Sequence, residues 1–153
     1  MDESIQRRVP PQWDDQLERL RKQVPPAPEG LLDFYVRWAP WVAIVFGVLG
    51  LIVALGATVL SVVLGPFLAA FGGVQGASTG IGLLLGSLLL LCVSVLGIVG
   101  GIKMQQRRLS GWWILAASIV LGAVQDLLGA ALLGLIIAVL IAWIHLQVKP
   151  RYS

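Results

Sequence analysis

Few side chains in this sequence could do chemistry in an apolar environment, and Asp126 is the clearest of them. It is the only charged residue in the hydrophobic tract that runs from Gly111 to Val148. A carboxylate inside a bilayer is often a proton or cation site. No second charge is available in the tract to pair with it, however, which favours a place at the tip of a helical hairpin. There it would also cap the next helix through backbone N–H groups.

The other candidate ligands stand alone in the sequence. His145 is the only histidine, so haem ligation would lack a second histidine, and Met104 is a weak substitute. We expect His145 to be solvated or hydrogen-bonded to a neighbouring loop. Cys92 is the only cysteine, which excludes an intrachain disulfide and a cysteine-rich metal site. We therefore predict no cofactor, no metal and no enzymatic activity.

Polar residues without charge suggest little more. Gln75, Ser78 and Thr79 lie in a glycine-rich stretch, which is interpreted as either a plain loop or a re-entrant pore lining. Four serines of the apolar tracts lack a nearby base, so we expect their hydroxyls to bond to their own helix or to a neighbouring one. These are Ser61, Ser87, Ser94 and Ser118.

The composition indicates which elements must hold these residues. The chain has 153 residues, of which 58% are hydrophobic and 12% charged, whereas soluble domains carry about 25% charged residues. Long uncharged tracts indicate an integral membrane protein. The net charge of +3 is not concentrated on a soluble domain, which argues against nucleic-acid binding.

Span lengths predict four transmembrane helices. The first two are expected at about 41–64 and 81–102, separated by the glycine-rich loop. The tract 111–148 would be about 57 Å long as one helix, nearly twice the ~30 Å hydrocarbon core. Dividing it at Asp126 gives spans at about 110–124 and 127–148, within a membrane domain of residues 40–148.

Charge then predicts the orientation. With four spans, all positive residues fall on one side, which is expected to be the cytoplasm. Both termini, residues 1–39 and 149–153, share that side. We therefore predict an all-α multi-pass protein of the cell membrane, and the first span would act as an uncleaved signal anchor. The basic residues are Arg7, Arg8, Arg19, Arg21, Lys22, Arg37, Lys103, Arg107, Arg108, Lys149 and Arg151.

The N-terminal arm contains a short amphipathic helix. Apolar residues recur there at i, i+4, i+7 and i+11, namely Trp13, Leu17, Leu20 and Val24. A helix of about a dozen residues is marginal in water, so this one needs a surface. The membrane interface and a partner protein are the two candidates.

Small residues recur at a spacing of four within the spans. Such residues let helices approach closely in lipid. They either pack the bundle internally or dock another membrane subunit. The residues concerned are Gly82, Gly86, Gly97, Gly101, Ala130, Gly134, Ala138 and Ala142.

Three functional hypotheses follow. The first is a small non-enzymatic accessory, scaffold or assembly subunit of a larger membrane complex, whose partners are the bilayer and a membrane protein or further copies of the chain. The alternative is an oligomeric channel or small-solute transporter. An intramembrane enzyme would require converging polar groups, and the sequence places such groups only at the ends of the spans.

Overall fold

The computed structural model describes residues 11–152 and is helical there apart from short turns, which confirms the all-α class. Helix α1 comprises Pro11–Gln23, α2 Glu29–Gln105, α3 Leu109–Leu128 and α4 Leu132–Val148. A 3-10 turn, Lys149–Arg151, follows α4. Three elements are long and apolar enough to cross a membrane: α2, α3 and the stretch Leu132–Arg151. This indicates a membrane location.

The 77-residue helix α2 folds back on itself at Gly73. Gly73 has φ 56° and ψ −140°, a conformation that glycine adopts without the steric cost of a Cβ. It separates an outgoing segment, residues 29–72, from a returning segment, residues 74–105. The Thr58 hydroxyl donates to the Ser87 Oγ at 3.0 Å, which joins the two segments in an antiparallel pair.

The glycine-rich stretch therefore differs from the expected loop. Residues 65–82 are helical on both sides of Gly73. Glycine weakens helices in water, but a backbone in an apolar medium has to satisfy its own hydrogen bonds, which favours helix. The hydroxyls of Ser78 and Thr79 bond to the carbonyl of Gln75, one turn away.

The second hairpin also turns later than expected. Helix α3 continues through Asp126 to Leu128, and the reversal occupies residues 129–131. Ala130 has φ 52°. The Ala131 N–H donates to the Asp126 carbonyl at 2.8 Å, and the Ala130 N–H donates to Leu127. This is a Schellman motif, in which the last backbone carbonyls of α3 accept hydrogen bonds.

Buried small residues spaced seven apart form the seam between the outgoing and returning segments. A repeat of seven keeps one face toward a partner helix, and small side chains allow close approach in lipid. On the outgoing segment they are Pro40, Gly47, Ala54 and Ser61, and on the returning segment Gly80, Ser87, Ser94 and Gly101.

Helix α3 packs against the returning segment in the same close manner. A Cβ placed on Gly100 would lie 3.0 Å from the Leu115 backbone nitrogen. The Ser118 hydroxyl donates across the contact to the Val93 carbonyl at 3.2 Å. Together with the bonds of Ser61, Ser87 and Ser94 to their own helices, this matches the expectation for the four serines.

Large buried side chains gather at the end of the bundle that holds the 106–108 turn and the C-terminus. They form one cluster, the terminal core: Val36, Met104, Trp112, Leu115, Val148 and Tyr152. At the opposite end Phe71 is 86% exposed. Apolar packing therefore holds the helices together at the end that contains the terminal core, where polar groups also lie close together.

Candidate functional site

His145 lies buried between two aromatic side chains in the terminal core. Its Nε2 is 3.0 Å from the Trp112 carbonyl, and its Nδ1 is 3.1 Å from the Tyr35 hydroxyl. Because a carbonyl can only accept, Nε2 donates and carries the proton. Nδ1 of the neutral ring then accepts from Tyr35. Both ring nitrogens are engaged, so the structure leaves none for a metal and contradicts a solvated His145.

Trp112 binds the same histidine twice more. Its Nε1 donates to the His145 carbonyl at 2.8 Å. The two rings stack with centroids 4.8 Å apart and an interplanar angle of 5°. Together with the bond from Nε2 to Trp112, this reciprocal pair fixes α3 against α4, and we call it the Trp112–His145 clasp.

Lys149 lies beside the clasp. Its ammonium lies 5.4 Å from the centroid of Trp113 and 5.7 Å from that of Trp112. The two indole rings meet edge to face. A cation held over indole faces is attracted by their quadrupoles, so Lys149 is positioned by the rings beneath it.

The connector between α1 and α2, residues 24–28, is bonded to α4. Gln147 accepts from the Ala27 N–H and donates to the Pro25 carbonyl, each at 2.7 Å. Asp33 and Arg151 form an ion pair nearby. Because that pair is exposed, its contribution to stability is small, and the two amide bonds of Gln147 define the path of the connector.

Helix α1 rests partly on the bundle itself. Leu17 packs against the terminal core, Val24 is half-buried, and Leu20 is 50% exposed. The side chain of Trp13 lies outside the described residues. The bundle's own end is therefore a surface for the arm in addition to the two candidates considered from sequence.

The two arm leucines should respond differently to a charge. We expect Leu17→Asp to release α1, because the carboxylate would face the apolar terminal core. Leu20→Asp should have a much smaller effect because that side chain already reaches solvent. Limited proteolysis of residues 10–30 in intact membranes would measure this. Equal protease sensitivity of the two variants would contradict the contact at Leu17.

Two open clefts flank α1, and Glu18 lines both. The larger, about 560 Å³, runs along the connector between Lys22 and Gln147. The smaller, about 260 Å³, lies between α1 and the end of α4. Among the side chains that the structure describes, no group of three acidic, histidine or cysteine residues could hold a metal ion.

The predicted small-residue motifs differ in environment. Gly97 and Gly101 are buried, and a Cβ on Gly101 would lie 2.7 Å from the Pro40 carbonyl oxygen. Gly82 and Gly86 have nothing within 4 Å of such a Cβ. The stripe predicted for the last span is exposed or half-buried, but Ala130 lies in the 129–131 turn, and only Gly134, Ala138 and Ala142 lie on α4. One pair thus packs the bundle internally, while the other faces outward.

Asp126 lies near the start of α4, but not as a cap. A Cβ on Gly134 would lie 2.7 Å from the Asp126 Oδ2, so the carboxylate sits against the first turn of α4. The expected capping hydrogen bond is absent, and Ala131 occupies the N-cap position. A carboxylate in this place is favoured by the positive end of the helix dipole.

Sequence reasoning missed most of the clasp. Aromatic residues beside an apolar span, such as Tyr35 and Trp112, are typical of a membrane interface, and nothing in their spacing links them to His145. The buried repeat of seven is present in the sequence, whereas the predicted packing motifs have a spacing of four. Comparison with known proteins adds no assignment: no protein-family model matches the chain, and neither a curated protein nor a solved structure matches it.

Proposed function

We propose that this chain is a non-enzymatic accessory or scaffold subunit of a membrane complex, with four spans and cytoplasmic termini. The proposal rests on the hydrogen bonds that the polar side chains of the spans make within the chain. The hydroxyls of four span serines donate to backbone carbonyls, Thr58 donates to the Ser87 Oγ, and His145 is held in the clasp. Groups committed to packing are not available to a substrate or a permeating solute. The four serines are Ser61, Ser87, Ser94 and Ser118.

The alternating direction of the helical segments supports four spans. The outgoing and returning segments are antiparallel, and α3 and α4 continue the alternation. The turns at Gly73 and at 129–131 therefore lie at one end, and the 106–108 turn lies at the other with the C-terminus. That second end carries Arg107, Arg108 and Lys149, as the positive-inside tendency favours for a cytoplasmic side.

Cysteine labelling tests this topology. In a Cys92→Ala background, single cysteines would replace Ala130 and Gln106, and intact cells would be treated with an impermeant maleimide. We expect labelling at position 130 from outside, and at position 106 only after the membrane is opened. Labelling at 106 with protection at 130 would contradict the proposed orientation. Labelling of both positions from outside would contradict the fourfold crossing.

The outward glycine pair, Gly82 and Gly86, supports docking to another membrane helix. Most of the span surface carries bulky apolar side chains, whereas these two positions would admit a close backbone approach. In the part of the chain that the structure describes, a Cβ at either position meets nothing within 4 Å. We therefore assign the partner contact to this face of the returning segment.

Leucines at both positions test the assignment. We expect Gly82→Leu with Gly86→Leu to remove a copurifying partner at unchanged thermal stability of the monomer. The matched control is Gly56→Leu, because a Cβ on Gly56 also meets nothing within 4 Å and Gly56 is exposed. Unchanged partner stoichiometry in the double variant would contradict the docking face. A homogeneous homo-oligomer that conducts solute in liposomes would instead favour the channel alternative.

A further inference from the structure

Helix α3 runs antiparallel to the returning segment of α2 in a constant register. A Cβ on Gly111 would contact the Met104 backbone, and one on Gly122 would contact the Val93 side chain. The same register, continued along both helices, places the last residue of α3 level with Ser87. Helix α4 starts after a short turn, so it begins at about this level as well. The hairpin formed by α3 and α4 is therefore shorter than the hairpin formed by α2.

The hairpin of α2 extends past this level at its Gly73 end. The hydrogen bond between Thr58 and Ser87 joins its two arms where α3 ends, and residues 59–86 continue beyond as two helical arms. At 1.5 Å per residue, the roughly 13 residues of each arm reach about 20 Å further. We call residues 59–86 the projecting hairpin, because by this register neither α3 nor α4 runs beside them in the described chain.

The hairpin of α3 and α4 indicates where the hydrocarbon core ends. Helix α3 has 20 residues and is about 30 Å long, which equals the thickness of a hydrocarbon core. Its far end carries Gln125 and Asp126, polar side chains that are costly inside a membrane and belong at its boundary with water. In the proposed four-span topology, the projecting hairpin therefore extends out of the hydrocarbon core on the side opposite the termini.

The surface of the projecting hairpin is apolar although it lies beyond that boundary. The sequence has no charged residue between Arg37 and Lys103, and Val74, next to the turn, is 89% exposed. The large exposed side chains of the projecting hairpin include Val62, Val63, Phe67, Phe71, Val74 and Ile81. A contiguous apolar surface outside lipid marks an interaction site.

We propose that the projecting hairpin of a second copy of this chain covers this surface, so that two hairpins form a four-helix bundle outside the hydrocarbon core. Antiparallel helix pairs joined by short turns are common units of such bundles. The inference rests on the proposed topology, and it names the partner at the face of Gly82 and Gly86, which belong to the projecting hairpin.

Insertion in a common orientation favours a second copy over a different protein. The positive residues that set the direction of one copy set that of every copy, so two copies present their hairpins on the same side and at the same height. A two-fold axis along the membrane normal then brings identical surfaces together, as an isologous interface requires. The lack of charge in residues 38–102 fits this arrangement, because like charges near the axis would face each other and repel.

Cross-linking between single cysteines tests the inference with the full chain in native membranes. Val74→Cys, in a Cys92→Ala background, places a thiol at the tip of the projecting hairpin, and a bismaleimide would link two such thiols. We expect a covalent dimer that persists when the protein is reconstituted at a high ratio of lipid to protein. Val139→Cys is the matched control, because Val139 is also an exposed valine but lies on α4. Any dimer that it forms by collision should be lost on the same dilution.

Four results would overturn the inference. Labelling of Val74→Cys by an impermeant maleimide without any dimer would mean that the projecting hairpin is uncovered. Neither labelling nor a dimer would mean that the hairpin tilts into lipid. Equal persistence of the dimers from both variants would place the contact elsewhere. A cross-linked product of another mass would identify a different protein as the partner, and the proposed accessory function would stand. Failure of the topology is distinguished separately, by the labelling of positions 130 and 106.

Discussion

Replacing Gly101 by leucine should destabilise the membrane domain severely, whereas the same replacement at Gly86 should leave it folded. A Cβ on Gly101 would lie 2.7 Å from the Pro40 carbonyl oxygen and 2.8 Å from the Ile44 Cγ1. Overpacking typically costs about 1–3 kcal/mol. The Pro40 carbonyl belongs to the helix backbone in the seam, and this backbone can move only if the outgoing and returning segments separate. We therefore expect a loss of about 3 kcal/mol or more.

Thermal unfolding in detergent micelles would measure the difference. Both glycines belong to a pair at spacing four on the returning segment, so helix propensity and hydrophobicity change equally in the two variants. Only the intramolecular space differs, since a Cβ on Gly86 meets nothing within 4 Å. Similar melting temperatures for the two variants would contradict the seam.

The seam also shows what the sequence could and could not predict. Uncharged tracts predicted apolar helices correctly, because burying a backbone in lipid leaves helix as the main solution for a short chain. The sequence also contains the repeat of seven formed by Gly80, Ser87, Ser94 and Gly101. In a chain this rich in glycine and alanine, only burial distinguishes the positions that pack the bundle internally from positions such as Gly82, where a Cβ would meet nothing within 4 Å.

Helix ends were harder to predict because both described Schellman turns place a residue other than glycine in the left-handed conformation. These residues are Arg107, with φ 58°, and Ala130, with φ 52°. Sequence rules search for glycine at that position, and Gly129 precedes Ala130 by one residue. The charge at Asp126 suggested a break there, yet its side chain is accommodated against Gly134 while the helix continues.

The contacts of the terminal core could not be predicted from the sequence, for a different reason. Tyr35 and His145 are 110 positions apart and meet only because three helix reversals return the chain to the same end. Periodicity describes one helix at a time and carries no information on which residue faces a distant one. The clasp therefore forms as a consequence of the topology, and its contribution to stability can be measured directly.

Trp112→Ala should be the most damaging change at the clasp. Trp112 is 1% exposed in the terminal core. Truncating a buried tryptophan typically costs about 3–5 kcal/mol, and here it also removes the stacking on His145 and the donor to its carbonyl. We expect the variant to lose the association of α3 with α4, observed as a lowered melting temperature and greater protease cleavage at the 129–131 turn.

Two further variants distinguish the contribution of Trp112 packing to stability from that of its indole hydrogen bond. Trp41→Ala is the matched control, because Trp41 is 58% exposed and its removal should change the melting temperature little. Trp112→Phe keeps an aromatic ring but leaves the His145 carbonyl without its indole donor, which should cost about 1 kcal/mol. Destabilisation in the order Trp112→Ala, Trp112→Phe, Trp41→Ala would support the clasp as the contact that fastens the last helix. Equal effects of Trp112→Ala and Trp41→Ala would mean that α4 is held elsewhere.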